Sequence, residues 1–351
     1  MAHTLAIIGF GGMGGYHFEK VTELVEGIRV KGAYDIQPDI QQKIADKGLV
    51  SYPTLEALLE DPEVDLVTVA TPNNFHKDLV IRALRAGKNV VCEKPVAMNA
   101  AELEDMIAVA KETGKLFSIH QNRRWDRDYN IIKQLVKDNT IGQPYFIESR
   151  VQGSRKGMFG WRKYKINGGG MLLDWGVHLI DQVMDLIDSP VVSVDGHLQS
   201  VFTDEVDDNI KAFLRFENGT SALIEVSTNC FINLPRWHVS CEDGTAVVED
   251  WACHGRMVQL ATDEEMEWTD DIVYTEAGPT RTMAPRPAET TRELPLPDVH
   301  PQWTDYYCNI VDVIDGKAEL IVKPEQALRV MKVIDLLFAS EQQKKGISCC
   351  I

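Results

Sequence analysis

No apolar run in the 351-residue chain approaches the roughly 20 residues that a membrane-spanning helix needs. The opening stretch, MAHTLAIIGFGG, lacks the basic segment and small-residue cleavage site of a secretory leader. Basic residues are in deficit, with 36 Lys and Arg against 53 Asp and Glu, so the net charge is −17. Such a surface repels a phosphate backbone unless its cations are segregated. They are not: the tightest cluster, Arg123, Arg124 and Arg127, is interleaved with Asp126 and Asp128. Neither nucleic acid nor membrane is an expected partner. The seven cysteines are odd in number and contain no CxxC pair, which fits a reducing compartment and a cytoplasmic chain better than a disulfide framework. None offers the closely spaced ligand set of zinc. Cys349-Cys350, beside Ile351, reads as a frayed tail. Internal repeats and low-complexity tracts are also missing.

What is present is an ordinary globular composition, 44% hydrophobic and 25% charged, long enough for about two domains with separate cores. In the first third, short β-branched runs (Leu5–Gly9, Arg29–Asp35, Val64–Ala70, Asn89–Glu93, Leu116–His120) alternate with helical patterns (Met13–Glu26, Ile40–Lys47, Leu55–Glu60, Asn74–Arg85, Ala100–Thr113). Near-continuous apolar strands separated by helices predict a doubly wound parallel sheet, with its ligand at the carboxyl ends of the strands. Asn73 or Asn74 is expected to cap the helix that Gly87 ends.

Past residue 122 the pattern changes. A helix at Tyr129–Lys137 and a strand at Tyr145–Val151 precede a Gly-, Lys- and aromatic-rich loop at 153–168. Gly168-Gly169-Gly170 then opens a helix over Met171–Ile187. Asn218-Gly219 and Asp243-Gly244, each between alternating runs, are hairpin signals. This half is expected to be α+β, with a large and mostly antiparallel open sheet. Residues 262–300, acidic and with five prolines, read as irregular, and two helices close the chain at about Trp303–Ile314 and Pro324–Glu341. The expected division is a dinucleotide-binding domain at 1–122 and a substrate domain at 123–351.

Gly9-Phe10-Gly11-Gly12-Met13-Gly14 is a GxGxxG between the first strand and the first helix, the setting that a dinucleotide fingerprint requires. Gly9 makes the turn, Gly11 admits the pyrophosphate, Gly14 lets helix meet strand, and the helix N-terminus supplies N–H groups. Asp35 lies 35 − 14 = 21 residues past the last glycine, where a carboxylate binds the ribose 2′-hydroxyl and repels a 2′-phosphate. NAD is therefore expected rather than NADP. Thr71, Pro72 and Asn73 end another strand at the same edge and are expected at the cofactor, while His76 reads equally as a cofactor contact or as an exposed residue of the helix's first turn.

Glu93-Lys94-Pro95 also follows a strand at this edge. Removing hydride from a secondary alcohol leaves negative charge growing on its oxygen, which a lysine ammonium stabilises. A histidine suits the accompanying proton transfer. Asp174 and His178, at i and i+4, project from one face of the helix that the glycine run opens, and Asp174 would orient the imidazole or bind a substrate hydroxyl. Asp174, His178 and Asp181 could suggest a metal, but no clear further ligand accompanies them, so no metal is expected. Arg123 and Arg124 follow the fifth strand, again at the ligand edge, where Arg124 is expected to bind substrate. Trp161, Arg162, Tyr164 and Lys165 occupy the long loop, where aromatics and cations suit sugar binding.

The combination resembles the glucose–fructose oxidoreductase / inositol dehydrogenase (Gfo/Idh/MocA) family over essentially the whole chain. The family's EKP motif matches Glu93-Lys94-Pro95, and its Gly-rich…Asp-x-x-x-His motif matches Gly168-Gly169-Gly170…Asp174…His178. The resemblance implies Lys94 and His178 as catalytic, Asp174 as substrate-binding, and Glu93 with Lys94 beside the cofactor. It further implies oxidation of a secondary hydroxyl of a sugar, cyclitol or glycoside, C3 of a glucoside being one candidate, and self-association through the second sheet. Two alternatives stay open: glycoside cleavage by transient oxidation and elimination, and a non-catalytic sugar-sensing regulator on the same fold.

Overall fold

The computed structural model describes residues 2–261, 272–281 and 287–351. Apolar β-branched runs form a six-stranded sheet from β1 (His3–Ile8), β2 (Ile28–Tyr34), β3 (Val50–Ser51), β4 (Leu66–Val69), β5 (Asn89–Cys92) and β6 (Phe117–Ile119). Its order is β3-β2-β1-β4-β5-β6, and every pairing is parallel. Helices α1 (Gly12–Leu24), α2 (Pro38–Asp46), α3 (Leu55–Leu59), α4 (His76–Arg85) and α5 (Ala100–Thr113) make the crossovers. Leu5, Ile7, Leu66, Val67, Val90 and Val91 are fully buried between the layers, each contributing about 1.5–3 kcal/mol. The doubly wound fold expected of the first third is present, and the order reverses between β1 and β4, where such sheets bind ligands.

The second half adds α6 (Arg127–Asp138), β7 (Pro144–Gln152), α7 (Val177–Leu186) and then strands β8 (Val191–Gln199), β9 (Asn209–Phe216), β10 (Ser221–Ser227), β11 (Trp237–Cys241), β12 (Gly244–Val248) and β13 (Gly255–Leu260). A separate hairpin, β14 (Ile272–Thr275) with β15 (Gly278–Arg281), precedes β16 (Thr291–Leu294), α8 (Asp305–Ile314), α9 (Pro324–Gln343) and β17 (Ile347–Ser348). Nine of these strands form one sheet, β16-β13-β12-β11-β7-β10-β9-β8-β17, antiparallel except where β7 meets β10. Alternation sorts the faces: Ala222, Ile224 and Val226 turn inward, whereas Phe146, Phe213 and Leu223 stay half-buried on the other side beside the Glu148–Arg150–Glu225 ion pairs.

Three local expectations change. The tail is not frayed, because β17 pairs with β8, the Cys349 N–H donates to the Val192 carbonyl, and Ile351 exchanges backbone hydrogen bonds with Val191. The region read as irregular contains β14, β15 and β16, although 262–271 and 282–286 lie outside the described residues. The second hairpin turns one residue early, on Glu242-Asp243, with Gly244 already paired to Cys241. Gly244 has no room for a side chain, since a Cβ there would meet the Val258 carbonyl at 2.3 Å.

The closing helices return to the first sheet. Tyr307 of α8 hydrogen-bonds Thr68 of β4 at 2.9 Å, Tyr306 donates to Ser118 of β6 at 3.1 Å, and the Ala100 N–H that opens α5 donates to Asp335 of α9 at 2.9 Å. Beside them the buried Arg124 guanidinium grips Asp181 of α7 with two 2.7 Å bonds and also reaches Asp185. Breaking a buried pair from one side strands the other charge. Asp181→Ala should lower the unfolding free energy by about 3–5 kcal/mol in urea titrations, and adding Arg124→Met should recover most of that loss.

Candidate active site

The carboxyl edge of the six-stranded sheet collects Gly9 after β1, Asp35 after β2, Thr71 and Pro72 after β4, Lys94 after β5 and Gln121 after β6. At Gly9 the backbone takes φ +87°, and a Cβ there would meet the Ala70 carbonyl at 2.7 Å. At Gly14 a Cβ would stand 2.0 Å from the Gly9 carbonyl, so only glycine lets α1 start this close to the strand. Around Gly11 and Gly12, by contrast, a Cβ would meet nothing within 4 Å. With Gly11 as N-cap and no side chain capping it, the first-turn N–H groups of α1 are of the kind left for a ligand. Asp35 accepts from the Phe10 N–H at 2.8 Å and the Gln37 N–H at 3.0 Å, which locks its carboxylate beside the turn. Next to it Ile36 is exposed, an apolar ledge of the kind an adenine covers. These residues fit a dinucleotide.

The neighbouring strand ends do structural work that the sequence did not reveal. Asn73 does not cap α4. It begins a short 3₁₀ turn and donates to the Gly168 carbonyl at 2.7 Å, linking the cofactor edge to the loop before the second-half helix. His76 is fully buried, neither exposed nor open to cofactor, and hydrogen-bonds the Thr71 and Pro95 carbonyls at 2.9 Å each. Glu93 likewise turns inward. Its Oε1 accepts from His17 Nε2 and His120 Nδ1, both at 2.8 Å, and its Oε2 accepts from the Lys94 N–H. Burial alone would push this carboxyl up, yet the two imidazoles hold it well below the usual range. These three potential ligand atoms of a metal ion lie within 4.8 Å of one another. Their 2.8 Å separations are hydrogen-bond lengths, shorter than the roughly 3.3 Å between ligands of a tetrahedral ion, and His17 Nδ1 is taken by Tyr307 at 2.8 Å.

Lys94 points the other way. Its ammonium donates to Asp174 Oδ1 at 3.0 Å and to the Asp174 carbonyl at 2.8 Å, joining the cofactor edge to the second half. Asp174 lies in a π-helical turn, Leu172–Gly176, that runs into α7. The wide turn keeps the expected i, i+4 relation of Asp174 and His178, and such turns recur at functional sites. Asp207 secures the start by accepting from Leu172 N–H at 2.7 Å, and burial pushes its own carboxyl up to about 6. Within the preceding glycine run, a Cβ at Gly169 would stand 2.0 Å from the Arg162 carbonyl, so the loop can fold tightly onto the site. Arg162 thereby reaches Asp174 Oδ2 at 3.3 Å. Although burial pushes Asp174 up, Lys94 and Arg162 bring it below the ordinary carboxylate range.

His178 is almost fully buried. Burial, then the charges of Lys94 and Arg123, drive its pKa well below 6.5, so the imidazole is neutral at pH 7. Its Nδ1 meets Gln121 Oε1 at 3.0 Å, which assigns the proton to Nδ1 and leaves Nε2 with a lone pair. Gln121 escaped the sequence reading, its only signal being its position at the end of β6. Arg123 sits over the Trp175 ring at 4.3 Å. Of the loop residues, Arg162 stacks on Trp161 at 4.5 Å, while Tyr164 is exposed and its ring meets Lys163 rather than the site. Arg124, expected at the substrate, is spent on Asp181 instead and presents almost no surface. Asp181 is thereby also removed from any shared ligand set with Asp174 and His178.

Comparison with known proteins agrees with the fold and the cofactor edge. Residues 4–121 match the model of the oxidoreductase family with an NAD-binding Rossmann fold, and residues 129–247 match the Gfo/Idh/MocA C-terminal domain. A solved NAD-binding protein from Listeria innocua is 42% identical over 99% of both chains, with a TM-score of 0.94. A scyllo-inositol 2-dehydrogenase (NADP+) of Bacillus subtilis is 28% identical over 84% of this chain and 81% of its own. A myo-inositol 2-dehydrogenase of Thermotoga maritima is 27% identical over 64% of this chain and 68% of its own. Two matched domains in sequence, on a fold shared from end to end, make this chain a member of the Gfo/Idh/MocA family of NAD(P)-dependent oxidoreductases.

Proposed function

We propose that the protein oxidises a secondary hydroxyl of a sugar, cyclitol or glycoside with NAD⁺. The observation that carries this is the convergence on one cleft of a lysine ammonium, an ionised aspartate and a neutral, buried histidine with a free Nε2. Residues 1–122 hold the dinucleotide and 123–351 supply the substrate side. Bound NAD⁺ supplies the hydride acceptor. Two of the three Lys94 N–H groups are engaged by Asp174, so the third serves the substrate oxygen and stabilises the charge that grows there. His178 Nε2 takes the hydroxyl proton, with Gln121 holding the ring in the required tautomer. Asp174 and Arg162 grip a neighbouring hydroxyl pair. The names of the inositol dehydrogenase relatives support a polyhydroxylated ring as substrate. The cluster Phe146, Phe213 and Leu223 on the outer face of the large sheet supports self-association, which a solution mass near the 39.4 kDa of one chain would refute.

Incubation with NAD⁺ and a panel of sugars, inositols and glucosides should produce NADH absorbance. Lys94→Ala and His178→Asn should each cut kcat/KM on the best substrate by about 10²- to 10⁴-fold. Unchanged activity in either variant would remove that residue from the chemistry.

The base works deprotonated, and the His178 pKa is depressed, so it stays competent as pH falls through the ordinary histidine range. The acid limb of log kcat/KM should therefore lie below pH 6.5. A limb at or above that value would contradict the assignment.

Asp35→Ser should weaken NAD⁺ by about 10- to 100-fold while removing the repulsion of a 2′-phosphate. The ratio of kcat/KM values for NAD⁺ and NADP⁺ then moves toward NADP⁺. An unchanged ratio would show that Asp35 does not select the cofactor.

A further inference from the structure

Beyond the reacting centre, a run of rings in edge and tilted contact leads outward from His178. The Trp175 indole lies 5.9 Å from the imidazole, centroid to centroid, and the Trp251 indole lies 5.8 Å beyond it. Arg123 spans the step, 4.3 Å from the Trp175 ring and 5.6 Å from that of Trp251. Trp251 comes from the β12–β13 hairpin, far from the catalytic helix in sequence, and is 51% exposed.

The half-exposed ring is held as firmly as a core residue. From below it rests on the Arg236 guanidinium at 3.7 Å. Arg236 is itself 5% exposed and is fixed by Asp128 through bonds of 2.6 and 3.1 Å. The hairpin tip is clamped as well: Asp250 accepts from the His254 N–H at 3.1 Å and pairs with its ring at 2.8 Å, and the Cys253 N–H donates to the Asp250 carbonyl at 3.0 Å. Cys253 takes φ +64°, a left-handed conformation that costs a non-glycine residue and persists only where its surroundings impose it. A buried ion pair, a strained turn and a doubly bonded aspartate thus position one indole with much of its surface in water. Burial would have been the cheaper use of that ring.

We propose that Trp251, flanked by Arg123 and Trp175, is an outer sugar subsite, and that the substrate is a glycoside of at least two rings. The reacting ring occupies the Lys94–Asp174–His178 centre and the second ring lies on Trp251. A pyranose has one face of C–H groups that an indole covers, and equatorial hydroxyls at its rim that a guanidinium can meet. A single-ring substrate at His178 stops at Trp175, which stands between the centre and Trp251. This rests on the reading that a sugar hydroxyl reacts at Lys94 and His178.

The test compares the intact protein with Trp251→Ala on matched pairs, methyl glucosides against cellobiose and maltose, each with NAD⁺. Two-ring kcat/KM should fall about tenfold, mainly through KM, with one-ring kcat/KM changed less than about twofold, and Trp251→Phe should restore the two-ring value. Equal losses on both classes, no loss on either, or a change in oligomeric mass without a change in selectivity would overturn the subsite. Binding is read separately: the two disaccharides should quench tryptophan fluorescence of the wild-type NAD⁺ complex and much less that of Trp251→Phe. Quenching without turnover would retain the subsite and defeat the dehydrogenase reading. Turnover without quenching would do the reverse.

Discussion

The cleft depends on the buried carboxylate of Glu93. One oxygen gathers His17 from the helix after the glycine turn and His120 from the end of β6, while the other takes the N–H of Lys94. Three chain segments at the carboxyl edge of the first sheet are thereby fixed to one buried group. The chain of donors continues through Tyr307 to Thr68, so the network has a direction, each proton pointing toward Glu93. A buried network of this kind favours one geometry, although His120 Nε2 is left without a partner among the described residues. Lys94 leaves it with its backbone fixed and only its side chain free to answer Asp174 across the cleft.

A chain of net charge −17 that holds an anionic dinucleotide resolves the conflict locally. The glycine turn offers backbone N–H groups, whose attraction does not depend on the count of lysines. The cations near the reacting centre, Lys94, Arg123 and Arg162, are each held by a carboxylate, and Arg123 also lies over an indole. Burial, with the charges of Lys94 and Arg123, keeps His178 neutral, while Lys94 and Arg162 keep Asp174 ionised, so both groups stand deprotonated within one turn of helix, one anionic and one uncharged.

Much of this was legible in the sequence because period and punctuation carried it. Alternating β-branched runs, GxGxxG and Asp35 located the first sheet and its binding edge, and the spacing of Asp174 and His178 survived even the π-helical turn between them. Long-range pairing was not legible. Arg124 sits where a ligand-binding arginine would, and nothing local shows that Asp181, 57 residues on, claims its guanidinium. His76 and Glu93 have polar side chains at a binding edge yet turn inward, because backbone carbonyls and imidazoles from other segments complete their hydrogen bonds. Trp251 gave no local signal, since its meaning lies in Arg236 beneath it and Trp175 beside it. The docked tail was missed for the same reason, its partner β8 lying far upstream.

The return of α8 and α9 to the first sheet has a bearing on how the chain acquires its structure. Thr68 and Tyr307 are separated by 239 residues, and Ser118 waits for Tyr306 and for the Val322 carbonyl. During synthesis the nucleotide-binding sheet is made well before the helices that cover it and complete its polar network. Loop closure over such separations is entropically slow. Until α8 and α9 have left the ribosome, the first sheet has an incomplete core and exposed apolar surface, the kind of intermediate that chaperones shield. Truncation near the C-terminus would therefore injure the cofactor end of the molecule, the part most distant from it in sequence.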